Sequence, residues 1–515
     1  MPRTMHARRL RPLGSNPGPG ILLRLFSGLV FVVLTWLSFP NMFFSEGCPV
    51  FGWVALVPFF VLLEGLSFYQ RLLWGALCSV IIFLLLTIWM TDISFRAWWL
   101  FSLALATGPF IFAVGSGLAP VWPAGRVFFW PSLWVVSECV RSFVLGGFSW
   151  SYVYSQSQFP ALIWSTAWGG VYLPLWILVF VNSAFYLFLF TRRMIWAVVA
   201  GAVFLFNLSI GVLILAQPLS GERSLHVALI QPNISREEKA NSGLYERNAW
   251  RHLSLSREAV LQNHPHLIVW PETAFPDDIL ADAFWRERLE SFAQTHRSDM
   301  LIGSALLDEG RDFNSALLLT DQGRWSGAYF KRKLVPFSEF VSFGWLKVLC
   351  GLFQKDGGQN FLPGAARGIL SLDYSGLPGR QRRTMFGVAL CSEEAYPELF
   401  RDLSVHGAAF IVVMLNDGWF KNRTALAMHA QNAVFRALES GVPVLRAANT
   451  GRTAGFDFYG RLLEGDFPAD QRAGWVVTAV PLARRPTMYA QYGDIFVWLC
   501  MGFVIIAICS RKRPR

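Results

Sequence analysis

From Ile21 to about Gln217 the chain is a succession of apolar stretches with short polar breaks, at 21–39, 51–69, 72–91, 98–119, 127–147, 161–190 and 195–216. Each predicts a helix able to cross a hydrocarbon core of ~30 Å, at ~1.5 Å of rise per residue. The 161–190 stretch is longer than one crossing needs, so the pattern does not fix its ends. Residues 493–510 form an eighth apolar stretch. Between these regions, over 218–492, the pattern changes: short β-rich runs alternate with helical ones, and most of the Asp, Glu and His fall here. Strands are predicted at 225–231, 266–270, 300–306, 315–320, 386–391, 408–415, 443–448 and 475–482. Such near-continuous β-branched runs are what strands buried on both faces require, so an α/β domain with covered sheets is expected. The run 425–440 has apolar residues at helical spacing and stops before Gly441, which predicts a helix. The expected organisation is therefore a basic arm (1–20), a seven-helix membrane domain (21–217), an α/β domain (218–492), a C-terminal membrane helix (493–510) and a basic tail (511–515).

Composition supports the membrane reading. Of 515 residues 54% are hydrophobic and only 15% charged, against about 25% charged in an ordinary soluble domain. Disorder and a disulfide-rich secreted module are excluded. The net charge of +11 is concentrated at the ends, in Arg3, Arg8, Arg9, Arg11 and Arg24 and in Arg511, Lys512, Arg513 and Arg515. Basic residues beside apolar segments orient a membrane protein with its positive flanks inside, so nucleic acid is not the expected partner. The first stretch lacks a small-residue cleavage site and is expected to stay as a helix. Seven crossings then put 218–492 on the outer side and return the tail to the cytoplasm. Arg71, Arg126, Arg192 and Arg193 are expected on inner loops. Glu138 and Arg141, three apart within one apolar stretch, share a helix face and are expected to pair. None of the seven cysteines has zinc-ligand spacing to another Cys or to His, so neither a metal site nor a cofactor is expected.

Three candidates for chemistry lie in the α/β region. LIVWPET delivers Glu272 just past a predicted strand, FGVALCSEE delivers Cys391, and YFKRKLVPFSEF between them carries Lys331, Lys333 and Glu339. A strand end holds its backbone rigid while one side chain enters a cleft. Each residue alone is unremarkable; together they have a logic. A thiol is a poor nucleophile until deprotonated, a carboxylate can take its proton, and an ammonium can stabilise the thiolate and a tetrahedral oxyanion. The backbone N–H of Ser392 can share that last role.

At these residues the chain resembles the nitrilase (carbon–nitrogen hydrolase) superfamily, with Glu, Lys and Cys in that order about 60 residues apart, in WPE, K-x-x-LVPF and a strand-ending Cys. With its helices, the whole chain resembles the apolipoprotein N-acyltransferase family of bacteria. The stretch from Trp134 to the GFSW ending at Trp150, NDGWF at 416–420 and RALESGVPVLRAANTG at 436–451 each resemble family motifs. The resemblance implies an αββα sandwich, with Glu272 as general base, Lys331 as oxyanion and thiolate stabiliser and Cys391 as nucleophile. It also implies supporting roles for Glu339, Glu393 and Ser392, a lipid route shaped by Trp419 and Phe420, and Asn416 and Asp417 fixing the loop beside the nucleophile. The expected activity moves an acyl chain from a phospholipid donor to the N-terminal amine of a diacylglyceryl-modified apolipoprotein, at the periplasmic face of a bacterial inner membrane, without a cofactor. Two other readings are a membrane-tethered amidase with a small soluble substrate and a non-catalytic lipoprotein-handling protein. The chain departs from the family pattern at Ser149, Ala240, Ser338, Ser392 and Glu394.

Overall fold

The computed structural model describes residues 19–510 apart from 121, 220–223, 336–338, 340–360, 376–380, 421 and 468–471. The basic tail, nearly all of the basic arm, and Ser338 thus lie outside the described residues.

Six described helices are long and apolar enough to cross a membrane: Ile21–Ser38, Phe68–Leu86, Phe95–Gly115, Pro123–Val144, Tyr172–Thr191 and Met194–Leu215. Two of the eight expected crossings are shorter. The 51–69 stretch is a 3-10 turn, Pro49–Trp53, followed by the helix Leu56–Leu63. The last stretch is the helix Ile495–Cys509, which at ~1.5 Å per residue falls short of a full ~30 Å crossing. The break near Gly52 persists because polar side chains take up the backbone groups it frees. Gln156 Nε2 donates to the Pro49 carbonyl (2.8 Å), Asn182 Nδ2 donates to that of Gly52 (3.1 Å), and Asn182 Oδ1 accepts from Leu56 N (3.0 Å). Irregular backbone at membrane depth survives only when protein satisfies it in this way. The over-long 161–190 stretch divides into Pro160–Ile163, Thr166–Gly169 and Tyr172–Thr191.

Two ion pairs lie inside the bundle. Arg141 Nη2 lies 3.8 Å from Glu138 Oε2, and both residues are buried. Glu138 Oε1 also accepts from Trp134 Nε1 (2.9 Å) and Tyr152 N (3.2 Å), while Arg141 donates to the Trp150 carbonyl. The pair therefore ties the 146–152 loop to its helix. Arg71 and Arg126 lie in the first turns of helices rather than on loops, and Arg126 pairs with Glu64 at 2.8 Å.

The α/β region has thirteen described strands: β1 (Ser224–Gln231), β2 (Leu267–Val269), β3 (Phe275–Asp278), β4 (Asp299–Asp308), β5 (Arg311–Leu319), β6 (Trp325–Phe330), β7 (Ile369–Ser375), β8 (Gln381–Leu390), β9 (Ile411–Leu415), β10 (Val444–Ala448), β11 (Thr453–Phe456), β12 (Leu462–Phe467) and β13 (Gly474–Pro481). They form two sheets, ordered β13-β1-β2-β4-β5-β6 with β3 beside β4, and β12-β11-β10-β9-β8-β7. The sheet centres are parallel, β1 with β2 and β4, and β8 with β9 and β10. Alternate residues of these central strands face opposite layers. Leu225, Val227 and Leu229 pack against Val388, Leu390 and Val412 between the sheets. Ala228 and Ile230 face the helices Tyr245–Asn263 and Ala283–His296 instead. On the far side Ile411 and Val413 meet Phe400 of helix Pro397–Val405 and Phe435 of helix Arg423–Ser440. This is the expected αββα sandwich. Its second helix layer shares one apolar core with the membrane helices, including Phe59, Trp134 and Leu175. At the junction the rings of Tyr154 and Phe435 are 4.6 Å apart, and Glu439 Oε1 accepts from Val171 N (3.2 Å).

All eight expected strands are present, though β2 and β9 are shorter than expected. Strands β3, β6, β7, β11 and β12 were not expected. In β6 only Tyr329 is buried, so no apolar run marks it.

Asp299 opens β4 buried, its Oδ1 accepting from Asp321 N at 2.5 Å. Burial pushes its carboxyl up to about 7. A carboxyl raised in the fold costs stability progressively as pH climbs from its unfolded value, about 3.9, to its folded one. Asp299→Asn keeps the acceptor and removes the titration. It is expected to raise the unfolding temperature in detergent clearly more at pH 8 than at pH 5; an equal gain at both would contradict this origin.

Candidate active site

Glu272 follows β2 by two residues beyond Trp270, whose N–H donates to the Leu301 carbonyl (2.9 Å) and so extends the sheet to the site. The chain then bends sharply, with Thr273 in the left-handed region at φ +49°. Gly303 of β4 makes room for the bend: a Cβ there would meet the Pro271 carbonyl oxygen at 2.3 Å.

Lys331 continues β6 against β5, its N–H donating to the Asn314 carbonyl (2.9 Å). Its side chain is wholly buried, with Nζ 3.1 Å from Glu272 Oε1 and 2.7 Å from Glu339 Oε1. Asn314 Nδ2 reaches the same two oxygens, at 2.8 and 3.3 Å. Two carboxylates thus share one ammonium and one amide. Burial opposes the charge on Lys331, but Glu272 and Glu339 outweigh it and hold its pKa well above the ordinary lysine value. Glu339 Oε2 accepts from Val335 N (2.9 Å), which ties the loop after Lys331 to the cluster.

Cys391 stands directly after β8, half-buried, at φ +50°. A non-glycine residue held in that region costs on the order of 1 kcal/mol or more and persists only where its surroundings impose it. Glu393 imposes it. Fully buried, its Oε1 accepts from Arg332 N (2.7 Å) and Lys333 N (3.0 Å), its Oε2 accepts from Leu390 N (2.8 Å), and Tyr329 Oη donates to both. One carboxylate thereby fixes the Cys391 turn against the strand end that carries Lys331. Ser392 Oγ adds a bond to the Lys333 carbonyl (3.3 Å). Burial and then the Glu272 carboxylate push the Cys391 thiol well above its usual pKa, with Lys331 opposing them. The sulfur therefore rests as a thiol and needs a base to take its proton.

Trp419 and Phe420 lie on the short turn that follows β9. Arg236 lies over the Trp419 ring at 4.2 Å, and Phe420 meets Trp89 of the membrane region edge-on at 5.0 Å. Asn416 does brace the site, since its Nδ2 donates to Thr273 Oγ1 (3.4 Å) and its Oδ1 accepts from Asn449 Nδ2 (3.0 Å). Asp417 is buried with His429 Nδ1 at 2.7 Å and Arg446 Nη2 at 3.5 Å. The departure at Glu394 is explained by the same cluster: its carboxylate pairs with Arg446 and lies 3.6 Å from His429 Nε2. Burial works against charge on His429, but Asp417 outweighs it and raises the imidazole pKa. Ser149, where the family pattern has Pro, donates its N–H to the Ala395 carbonyl (2.8 Å), a bond proline cannot make. It links the membrane loop to the nucleophile turn.

Glu272, Lys331 and Glu339 thus form one bonded cluster, and the Cys391 thiol, on the turn held by Glu393, lies within electrostatic reach of all three. Lys333 points elsewhere, to Glu398 (3.3 Å) and the Gly146 carbonyl (3.1 Å). Sequence reasoning missed Asn314, Tyr329, His429, Arg446 and Lys239. Asn314 did carry a signal, as the lone amide in a strand that runs on, after Ser315, through apolar Ala316 to Leu319. Lys239 donates from Nζ to the carbonyls of Glu272 (3.1 Å) and Thr273 (3.0 Å) and to Thr273 Oγ1 (3.2 Å).

Comparison with known proteins agrees with both halves of the chain. Residues 226–483 match the carbon–nitrogen hydrolase family, and residues 32–184 match the apolipoprotein N-acyltransferase N-terminal domain. An apolipoprotein N-acyltransferase from Geobacter metallireducens is 29% identical over 99% of this chain and 99% of its own. One from Allorhizobium ampelinum is 31% identical over 71% of each. A crystal structure of an amidase from Nesterenkonia sp. aligns with 54% of this chain and 98% of its own, at 17% identity and TM-score 0.36. With a carbon–nitrogen hydrolase sandwich seated on a matching membrane domain, and relatives along its length, the chain belongs to the apolipoprotein N-acyltransferase family.

Proposed function

We propose that this protein N-acylates lipoproteins by two-step transfer through Cys391. Glu272 takes the thiol proton, and the thiolate attacks the ester carbonyl of a membrane phospholipid. Lys331 and the Ser392 N–H face the oxyanion of the tetrahedral intermediate. Its collapse breaks the ester C–O bond; the proton held by Glu272 passes to the leaving alkoxide, and lysophospholipid departs from a thioester on Cys391. The α-amine of a diacylglyceryl-modified N-terminal cysteine then attacks the thioester. Glu272 accepts the amine proton, the C–S bond breaks, and that proton restores the thiol as the amide forms. Covalent catalysis replaces one difficult transfer with two easier ones.

The observation that carries this reading is the thiol–carboxylate–ammonium cluster on a sandwich whose helix layer shares its apolar core with the membrane helices. A tethered amidase with a small soluble substrate has no use for that shared core. Held at the bilayer, the site meets both lipid substrates at high effective concentration, and the aromatic Trp419 and Phe420 keep water from the thioester. The basic flanks favour cytoplasmic termini, a catalytic domain over residues 218–492 on the outer side, and a helix over 493–510 returning the chain.

The test is purified protein in phospholipid vesicles with a diacylglyceryl-cysteine peptide. Mass spectrometry should show the peptide gaining one acyl chain that matches the vesicle lipid, and no gain in lipid-free detergent. Acylation that ignores the vesicle lipid, or hydrolysis of simple amides in its place, would overturn the reading.

A further inference from the structure

We infer that Lys239 is a positioning residue for the proposed reaction, a second cation that fixes the Glu272 bend and balances the site's second carboxylate so that Cys391 can ionise. The inference rests on the reading of Cys391 as nucleophile.

The geometry comes first. Lys239 sits on the short helix Arg236–Ala240, whose start is fixed by reciprocal bonds: Glu238 N donates to Ser235 Oγ (3.1 Å) and Ser235 N donates to Glu238 Oε2 (3.0 Å). From there Nζ fills its three donor positions on the Glu272 carbonyl, the Thr273 carbonyl and Thr273 Oγ1. Two successive carbonyls converge on one ammonium only because the chain bends there, with Thr273 in the left-handed region. Removing the ammonium takes the donor from both carbonyls and leaves the bend that aims Glu272 with less to hold it.

The charge comes second. All three acceptors are neutral, and no described carboxylate forms an ion pair with Lys239. Its charge is felt instead by Glu272 and Cys391. Around the sulfur stand Glu272, Asp417 and Glu339, all negative, and Lys331, positive. Asp417 and its neighbour Glu394 are matched by Arg446 and by His429, whose pKa is raised, which leaves Glu272, Glu339 and Lys331 to be balanced. Without Lys239 that group carries one net negative charge before the thiol loses its proton, and ionising sulfur works against it. With Lys239 charged the group is neutral, and moving the thiol proton to Glu272 keeps it neutral. Burial lowers the Lys239 pKa to about 8, with Glu272 and Cys391 opposing, so the ammonium form still prevails at neutral pH.

The experiment uses full-length protein in detergent. The rate of Cys391 alkylation by iodoacetamide is followed against pH by peptide mass mapping, beside phospholipid-dependent acyl labelling. Lys239→Gln keeps an amide donor and loses the charge; Lys239→Arg keeps the charge. The alkylation rate at pH 7, where Lys239 still carries its charge, should fall about tenfold in Lys239→Gln and stay near the unsubstituted rate in Lys239→Arg. Acyl-enzyme formation at pH 7 should fall about tenfold in the former only. Should Lys239→Gln unfold, Lys239→Met carries the same comparison against the arginine variant. An alkylation rate at pH 7 unchanged in a folded, uncharged variant that still takes an acyl label on Cys391 would overturn the inference alone. Absence of any acyl label on Cys391 in the unsubstituted protein would overturn the nucleophile reading beneath it.

Discussion

Cys391→Ala protein incubated with phospholipid vesicles is expected to show no hydroxylamine-sensitive acyl label, and peptide acylation should fall by at least about 10⁴-fold. The substitution removes the sulfur and little else. The turn around it is held by main-chain and Glu393 bonds that do not involve the Cys391 side chain, at Leu390, Arg332 and Lys333. Unfolding temperature should therefore stay near the unsubstituted value, which separates loss of chemistry from loss of fold. Cys391→Ser is the sharper variant. A hydroxyl releases its proton far less readily than a thiol, and this site already pushes its nucleophile's pKa upward. Serine should accordingly give at most a trace of ester-linked label. An acyl chain reaching the peptide at the normal rate with alanine in place would mean that lipid passes directly to the amine, or through another residue.

What could be read in advance followed physical regularity. Strand β2 and the second half of β8 are buried on both faces and announce themselves as apolar runs, which is why Glu272 and Cys391 were found at strand ends. Strand β6 buries only Tyr329 among exposed and half-buried residues, so the element delivering Lys331 was invisible although the residue was not. The short second span was hidden for another reason: the backbone groups near Gly52 are satisfied by Gln156 and Asn182, more than 100 residues away, and no local pattern encodes that. Lys239 escaped notice because it bonds main-chain carbonyls, which leave no mark on the residues that supply them. Glu394 looked like a mere departure from the family pattern until Arg446 and His429 were seen beside it.

Lys331→Met should damage both chemistry and fold, and a second substitution should separate the two. The ammonium lies between Glu272 and Glu339, all but shut off from water. Methionine fills the space but leaves the buried Glu272 and half-buried Glu339 carboxylates facing each other across Asn314, an amide that can donate to both but neutralises neither. Removing one partner of a buried ion pair costs about 3–5 kcal/mol, because the stranded charge keeps its desolvation penalty. Loss of the oxyanion and thiolate stabiliser should independently slow single-turnover acylation of Cys391 by about 10²–10³-fold. Adding Glu339→Gln cancels the surplus negative charge while keeping an acceptor for Val335 N. The double variant should regain most of the lost unfolding temperature yet remain as slow as Lys331→Met alone, since no cation has returned beside the sulfur. If Glu339→Gln restored stability and acylation together, the lysine would be only a structural counter-ion. The oxyanion would then be stabilised by other groups, of which the backbone N–H of Ser392 is the first to examine.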